Sequence, residues 1–253
     1  MTRLSPRLHA ERLFHDGQAA ARARTLTAAD ALRFADADYL GHETWVRPAF
    51  AQLGPLAGKA ALDYGCGHGM AAVALARAGA TVTAFDLSPG YVAEAQARAA
   101  ANGVSVTCVT GCGESLPFPD ASFDAVWGNA ILHHLDLPRA ARELRRVLKP
   151  GGVAVFAEPW GGNAAVEFAR RHLPYPGKCR TADERPLTRR DLAPLRAVFP
   201  ALTWEGHQLF GMARRVLPAA LASPLVRLDA AVLPVVPILR NLCRYVVVVL
   251  PRG

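Results

Sequence analysis

Lysine is almost absent from this chain: Lys59, Lys149 and Lys178 are the only three in 253 residues, so the net charge of +8 is carried by arginine. A basic balance of this kind suits nucleic acid or an anionic membrane surface, or reflects a composition leaning toward alanine and arginine. The five cysteines (Cys66, Cys108, Cys112, Cys179 and Cys243) form no paired metal-ligand spacing, which argues against a zinc ribbon or finger. Their odd count, and an N-terminus without an apolar h-region, predict a reducing, cytoplasmic setting. Internal repeats and low-complexity linkers are missing. Long apolar runs are scarce: in the hydrophobic C-terminal stretch the longest uncharged run, residues 216–226, has 11 residues, against the roughly 20 a bilayer span needs. What remains, 51% hydrophobic and 20% charged, is a chain able to bury one sizeable core.

The chain is organised around Ala61-Leu62-Asp63-Tyr64-Gly65-Cys66-Gly67-His68-Gly69. A short apolar run enters three glycines at alternate positions, and an alanine-rich helical pattern follows, which reads as strand, tight turn, helix. Glycines there permit positive φ and close approach of a ligand to the backbone, and the helix start offers unpaired N–H groups. Asp63, two positions before the first glycine, would repel a phosphate and attract a cation. The alternate glycines also differ from the Gly-x-Gly-x-x-Gly of dinucleotide sites. Both features weigh against a nicotinamide oxidoreductase. A second strand ends in Asp86, 17 residues past Gly69, where a carboxylate suits a ribose diol.

Taken in order, residues 1–57 read as N-terminal cover helices, with a helix predicted over 43–53. Strands are predicted at 60–64, 80–86, 104–110, 123–129 and 153–157. Ser88-Pro89 starts a helix that Asn102-Gly103 stops, and Asp136 caps another that Pro150-Gly151-Gly152 is expected to end. Residues 160–187 read as an insertion, Thr188-Arg189-Arg190-Asp191 as a capping-box start to a helix, and 202–212 as a sixth strand. A basic, apolar insertion at 213–240 precedes a terminal strand within 241–253. Alternating strands and helices with short connections predict an α/β fold, Rossmann-like and doubly wound, around a mostly parallel sheet.

Four segments, ALDYGCGHG, the acid of VTAFDLSP, GCGESLPFPDASFDAVWGNAILHHL and ELRRVLKPGGVAVFAEP, resemble the class I S-adenosylmethionine (SAM)-dependent methyltransferases, of the small-molecule type found in ubiquinone and menaquinone biosynthesis. The resemblance covers residues 59–159 and implies seven strands, SAM as cofactor and a core at 58–159. It places the methionine end of SAM at Asp63, Gly65, Cys66 and Gly67, the ribose at Asp86, and the adenine against Leu87 and the Cys112-Gly113-Glu114 edge. Asn129 begins the loop beneath the methyl group. Relatives commonly carry aspartate where Cys112 stands, and a thiol is a poor acceptor.

Groups for the methyl acceptor belong beyond the carboxyl ends of the strands: His133 and His134 after the fourth strand, Glu158 after the fifth, and His172 and Tyr175 from the insertion. An imidazole near its ordinary pKa of about 6.5 suits a base at neutrality. His133, His134 and Glu158 are metal-ligand types, yet no spacing fixes them, and no metal is expected. The expected partner is a small, apolar or aromatic acceptor. No Asn/Asp-Pro-Pro-Tyr/Phe segment or Pro-Cys nucleophile follows the fourth strand, so no nucleic-acid partner is expected, although a nucleic-acid methyltransferase and a non-catalytic SAM-binding relative share this core. From Ala213 onward the chain has six arginines and one aspartate, a basic, apolar surface suited to peripheral contact with anionic membrane.

Overall fold

A computed structural model describes residues 4–26, 29–172 and 185–253. Seven strands form one sheet in the order β3-β2-β1-β4-β5-β7-β6. They are β1 (Ala60–Tyr64), β2 (Thr81–Asp86), β3 (Val106–Thr110), β4 (Phe123–Asn129), β5 (Leu148–Pro159), β6 (Thr203–His207) and β7 (Tyr245–Pro251). β7 runs antiparallel between β5 and β6, and the other pairs are parallel. The helices are α1 (Pro6–Ala23), α2 (Asp36–Leu40), α3 (Val46–Ala51), α4 (Met70–Arg77), α5 (Pro89–Ala101), α6 (Leu137–Val147), α7 (Ala164–His172), α8 (Leu192–Val198) and α9 (Ala219–Val235).

Strand alternation sorts the core into two layers. Leu62, Tyr64 and Val126 pack with Leu144 of α6 and Leu195 of α8 on one face. Ala61, Val82 and Trp127 pack with Ala49 of α3 and Leu75 of α4 on the other. Because both faces are covered, β1 and β7 are nearly continuous apolar runs rather than alternating ones. Strand order reverses on either side of β1, and that crevice, at the carboxyl ends of β1 and β4, is where such sheets bind ligands.

Local signals explain most boundaries. Ser88 accepts from the Tyr91 N–H with Pro89 in the first turn of α5, and Asp136 accepts from the Arg139 N–H at the start of α6. Three expectations need correction. The helix expected over 43–53 is confined to α3. Pro150-Gly151-Gly152 does not end α6. That helix stops at Val147, and the three residues lie inside β5, where its pairing with β4 shifts register between Phe123 and Ala125. The sixth strand stops at His207 rather than running to 212, because Gln208 takes φ 64° and a 3-10 turn, Gly211–Arg215, follows.

Candidate active site

The turn after β1 holds its shape through specific backbone demands. Gly65 has φ 75°, and a Cβ there would stand 2.7 Å from Ile131 Cγ1. At Gly67, φ 48°, nothing lies within 4 Å of the Cβ position, so that stretch of backbone borders open space. Gly67 N–H donates to Asp86 Oδ2 at 2.9 Å, and Ser88 N–H donates to Asp86 Oδ1 at 2.9 Å. Asp86 is thereby locked at the tip of β2. A carboxylate has about four lone-pair sites, so two remain for an incoming diol. Burial, opposed mainly by these two N–H donors, raises its pKa.

A cavity of about 180 Å³ opens here, and Gly65, Gly67, Asp86, Leu87, Gly113 and Asn129 all line it. Asp63 and Cys66 do not. Asp63 sits beneath the turn, 2% exposed, where burial pushes its pKa up to about 7 against the Ala72 N–H that accompanies it. Its Oδ2 has no hydrogen-bond partner among the described residues. The backbone turn, the spare acceptor sites of Asp86 and this unpaired buried oxygen fit a cofactor that carries a ribose and a positive charge. Cys112 bridges to Ser115 in the loop after β3. Glu114 is drawn aside, pairing with Arg7 and accepting the Asp136 N–H.

After β4 the chain turns at Ala130, φ 55°, a conformation uncommon outside glycine. Its N–H donates to Ala157 O at 2.8 Å. Glu158, fully buried, accepts from Ile131 N–H at 2.9 Å and Leu132 N–H at 2.8 Å through Oε1, and meets His133 Nδ1 at 2.7 Å through Oε2. Glu158 and His133 therefore fasten the loop from behind, and neither lines the 180 Å³ cavity. His134 does line it. Of the five residues expected to serve the acceptor, His134 lines this cavity, and His133 joins it in lining a second cavity alongside. His172 is exposed at the end of α7, packed on Phe168 and away from both cavities described here. Tyr175 lies outside the described residues.

Helix α1 contributes Leu8, Glu11, His15 and Gln18 to the same cavity. These residues went unrecognised in the sequence, although their spacing puts them on one helix face, a polar stripe in an otherwise Ala/Arg-rich helix. The helix is fixed to α5 by the Arg22–Glu94 pair, with Nη2 donating at 2.7 Å, and by the Tyr91 hydroxyl donating to Gln18 Oε1 at 3.0 Å. Its N-terminal end reaches the loop after β4, where Arg7 donates to the His134 carbonyl. His68, on the turn, is held neutral: burial, followed by Arg22 and Arg98, lowers its pKa to about 4.

A second cavity, about 390 Å³, lies beside the first. Glu11, His134 and Leu135 line both. The far side of the second is charged: Arg7, Glu114, Asp136, Arg139, Arg185 and Asp191. Arg185 donates to both carboxylate oxygens of Asp191, at 2.8 and 2.6 Å.

Residues 62–156 match the family model described as a methyltransferase domain. Among curated proteins, the chain is 34% identical over 154 residues to a malonyl-[acyl-carrier protein] O-methyltransferase of Herminiimonas arsenicoxydans, covering 56% of this chain and 57% of that one. It is 36% identical over 139 residues to a demethylmenaquinone methyltransferase of Corynebacterium efficiens, covering 51% and 57%. The chain thus spans little more than half the length of these relatives. Among solved structures, a chain of the Haloferax volcanii Trm112 methyltransferase-activator complex superposes with a TM-score of 0.64 at 20% identity, covering 94% of this chain and 97% of that one. A geranyl diphosphate C-methyltransferase of Streptomyces coelicolor gives 0.55 at 20% identity, over 82% and 76%. At these identities the structural likeness shows the shared fold.

Proposed function

We propose that this chain, whose residues 62–156 match a methyltransferase-domain model, is a class I SAM-dependent methyltransferase that transfers a methyl group to a small-molecule acceptor seated in the second, charged cavity. One observation carries the reading: the two cavities share a wall that contains His134. When bound, SAM supplies an activated methyl group on a sulfonium, and the transfer needs alignment more than acid catalysis. Asp86 would take the ribose hydroxyls, the Gly65–Gly67 backbone the methionine end, and Leu87 and Gly113 the adenine. With no metal at the shared wall, His134 would accept the proton from a hydroxyl acceptor as its oxygen bonds to carbon, while Glu158 and His133 hold the loop; were His134 engaged as a metal ligand, the metal would acidify the hydroxyl and solvent would take the proton.

The lining changes the expected acceptor. An apolar or aromatic compound suits the hydrophobic leaning of the sequence, but this cavity offers Arg7, Arg139 and Arg185 along with four carboxylates, Glu11, Glu114, Asp136 and Asp191. Each arginine is already paired with one of those carboxylates, so we infer a polar acceptor that bonds to both kinds of group. The acceptors named for these two relatives, malonyl-acyl-carrier-protein and demethylmenaquinone, span both chemistries, so they do not choose between them; neither is a nucleic acid. Incubating the purified chain with isotopically labelled SAM and a metabolite extract, followed by mass spectrometry, tests this. Label should appear in a small polar compound. Label only in apolar compounds would refute the acceptor class, and no labelled product the transfer itself.

No described helix is long and apolar enough to cross a membrane. We further infer reversible contact of α9 with an anionic bilayer surface. Leu221, Leu228 and Val235, seven residues apart, share one face and are 61%, 41% and 74% exposed. The one acid of the helix, Asp229, is turned inward to accept the N–H groups of Leu209, Phe210 and Gly211. The outward face therefore combines apolar side chains with Arg227 and no negative charge, which complements an anionic surface.

A further inference from the structure

We propose that Glu11, His15 and His134 form a divalent transition-metal site of the zinc type in the wall between the two cavities. Two of the ligands come from one helix and the third from the core. Glu11 and His15 are four residues apart on α1, so they project from the same face. His134 approaches from the loop after β4. Glu11 Oε2 lies 3.4 Å from His15 Nε2 and 3.2 Å from His134 Nδ1, and one ligand atom from each residue lies within 4.8 Å of the others.

Those separations have a chemical meaning. A tetrahedral zinc ion with bonds of about 2.0–2.1 Å to nitrogen and oxygen sets its ligand atoms about 3.4 Å apart. Two of the three edges already have nearly that length, and the third, within 4.8 Å, would shorten as the imidazole rings close on the ion. These rings stand 5.4 Å apart between centroids at 78°, an arrangement that lets both nitrogens point at a common centre. His134 Nδ1 is buried and makes no hydrogen bond among the described residues, although Glu11 Oε2 is near.

The surroundings also orient the ligands. His15 Nδ1 lies 3.2 Å from Gln18 Oε1, which can accept from Nδ1–H, and a metal taken up at Nε2 would replace the proton that Nε2 shares with Glu11. Metal-bound histidines characteristically have such an outer partner. His134 is fixed through its backbone, with Arg7 donating to its carbonyl and its own N–H donating to Ile131 O. Two histidines and a carboxylate suit zinc, cobalt or iron(II) rather than magnesium or calcium, which prefer all-oxygen sets. Three protein ligands leave a position open, and both cavities border it. A metal here would join α1 to the loop after β4 and present that position to an acceptor oxygen. This last point rests on the acceptor reading above; the binding site itself does not.

No metal was expected from the sequence because the ligand types noticed there, His133, His134 and Glu158, have no fixing spacing. Two of those three are committed to each other behind the loop, and the partners of His134 come from a helix more than a hundred residues away. The test is metal binding to the purified, chelator-treated chain, read by Co²⁺ absorption in the visible and by calorimetry with Zn²⁺. One equivalent of Co²⁺ should give the d–d bands of a four-coordinate nitrogen–oxygen site without thiolate charge transfer. Glu11→Gln, His15→Ala and His134→Gln should each weaken binding at least tenfold, and Gln18→Ala several-fold. Cys108→Ser should leave it unchanged. Thermal unfolding and S-adenosylhomocysteine binding identify any variant that fails to fold, and the remaining variants are then decisive. Absence of stoichiometric binding by the wild type, or equal binding by folded variants at all three positions, would show an ion-paired cluster only and overturn the proposal. Metal binding with no labelled methyl product would instead count against the proposed function alone.

Discussion

Asp63 offers a sharp test of the physical reading of the turn, because its carboxylate is buried with one oxygen unpaired. Burial raises its pKa from 3.8 to about 7. The native state thus retains a proton that the unfolded chain has already released, and stability falls as pH rises from about 4 to 7. At 1.36 kcal/mol per pKa unit, the full loss above neutrality is about 4 kcal/mol. Relaxation around the ion recovers part of such penalties, and half, about 2 kcal/mol, is a working value. Asp63→Asn keeps the shape, retains an acceptor for the Ala72 N–H and removes the charge. The variant should nearly match the wild type at pH 4 and exceed it by about 4–8 °C in Tm at pH 8.5, using ~2–4 °C per kcal/mol for a chain of this size. His68, whose lowered pKa removes stability as pH falls from about 6.5 toward 4, acts equally on both proteins and cancels in the difference. Differential scanning calorimetry at the two pH values is the assay. Parallel pH profiles with no gain for the variant would refute the reasoning.

Three further outcomes follow from the geometry. Gly65→Ala puts a Cβ 2.7 Å from Ile131 at φ 75° and should destabilise the fold by about 1–3 kcal/mol from overpacking beyond the left-handed backbone cost, while Gly67→Ala, with open space at its Cβ but φ 48°, should carry only that backbone cost of about 1–2 kcal/mol and bind S-adenosylhomocysteine more weakly; chemical denaturation and calorimetry separate the two. His134→Ala should lower turnover by about 10²–10⁴-fold with a hydroxyl acceptor while cofactor affinity is nearly intact, whereas His133→Ala should act first on stability because it strips a buried partner from Glu158. Flotation with anionic vesicles should recover the wild type at low salt and lose it at high salt, since each arginine near the surface contributes about 1 kcal/mol before screening; Leu228→Glu with Val235→Glu should abolish recovery, and equal recovery with neutral vesicles would refute the charge argument.

The residues that line the 180 Å³ cavity from the ends of β1 and β2 were readable in the sequence because their signals are local. Gly65, Gly67 and Asp86 serve one turn, and Ser88-Pro89 and Asp136 mark helix starts within a few residues of the site. The acceptor half was hidden because it is assembled across the chain. Adjacent His133 and His134 could not be told apart until Glu158 was seen to claim His133. Glu11 and His15 looked like ordinary polar residues of a cover helix, and the arginines of the second cavity come from residues 7, 139 and 185. Hydrophobic composition suggested an apolar acceptor, yet the leucines and valines behind that expectation sit on α9, away from the cavity. Pro150-Gly151-Gly152 misled in another way: a helix-breaking triplet also accommodates a register shift within a strand.

The attachment of α1 has a kinetic consequence. Its C-terminal half is clamped to α5 through Arg22 and Glu94, while its N-terminal half touches the rest of the site through Arg7, Glu11 and His15. Movement is therefore cheapest as a swing about the clamped half, and because both cavities share the wall that α1 supplies, one swing uncovers both. Spent cofactor and methylated product would leave through the same opening, in the same event. Turnover would then be paced by how often that door opens, and a tight-binding product would inhibit by keeping the next cofactor outside.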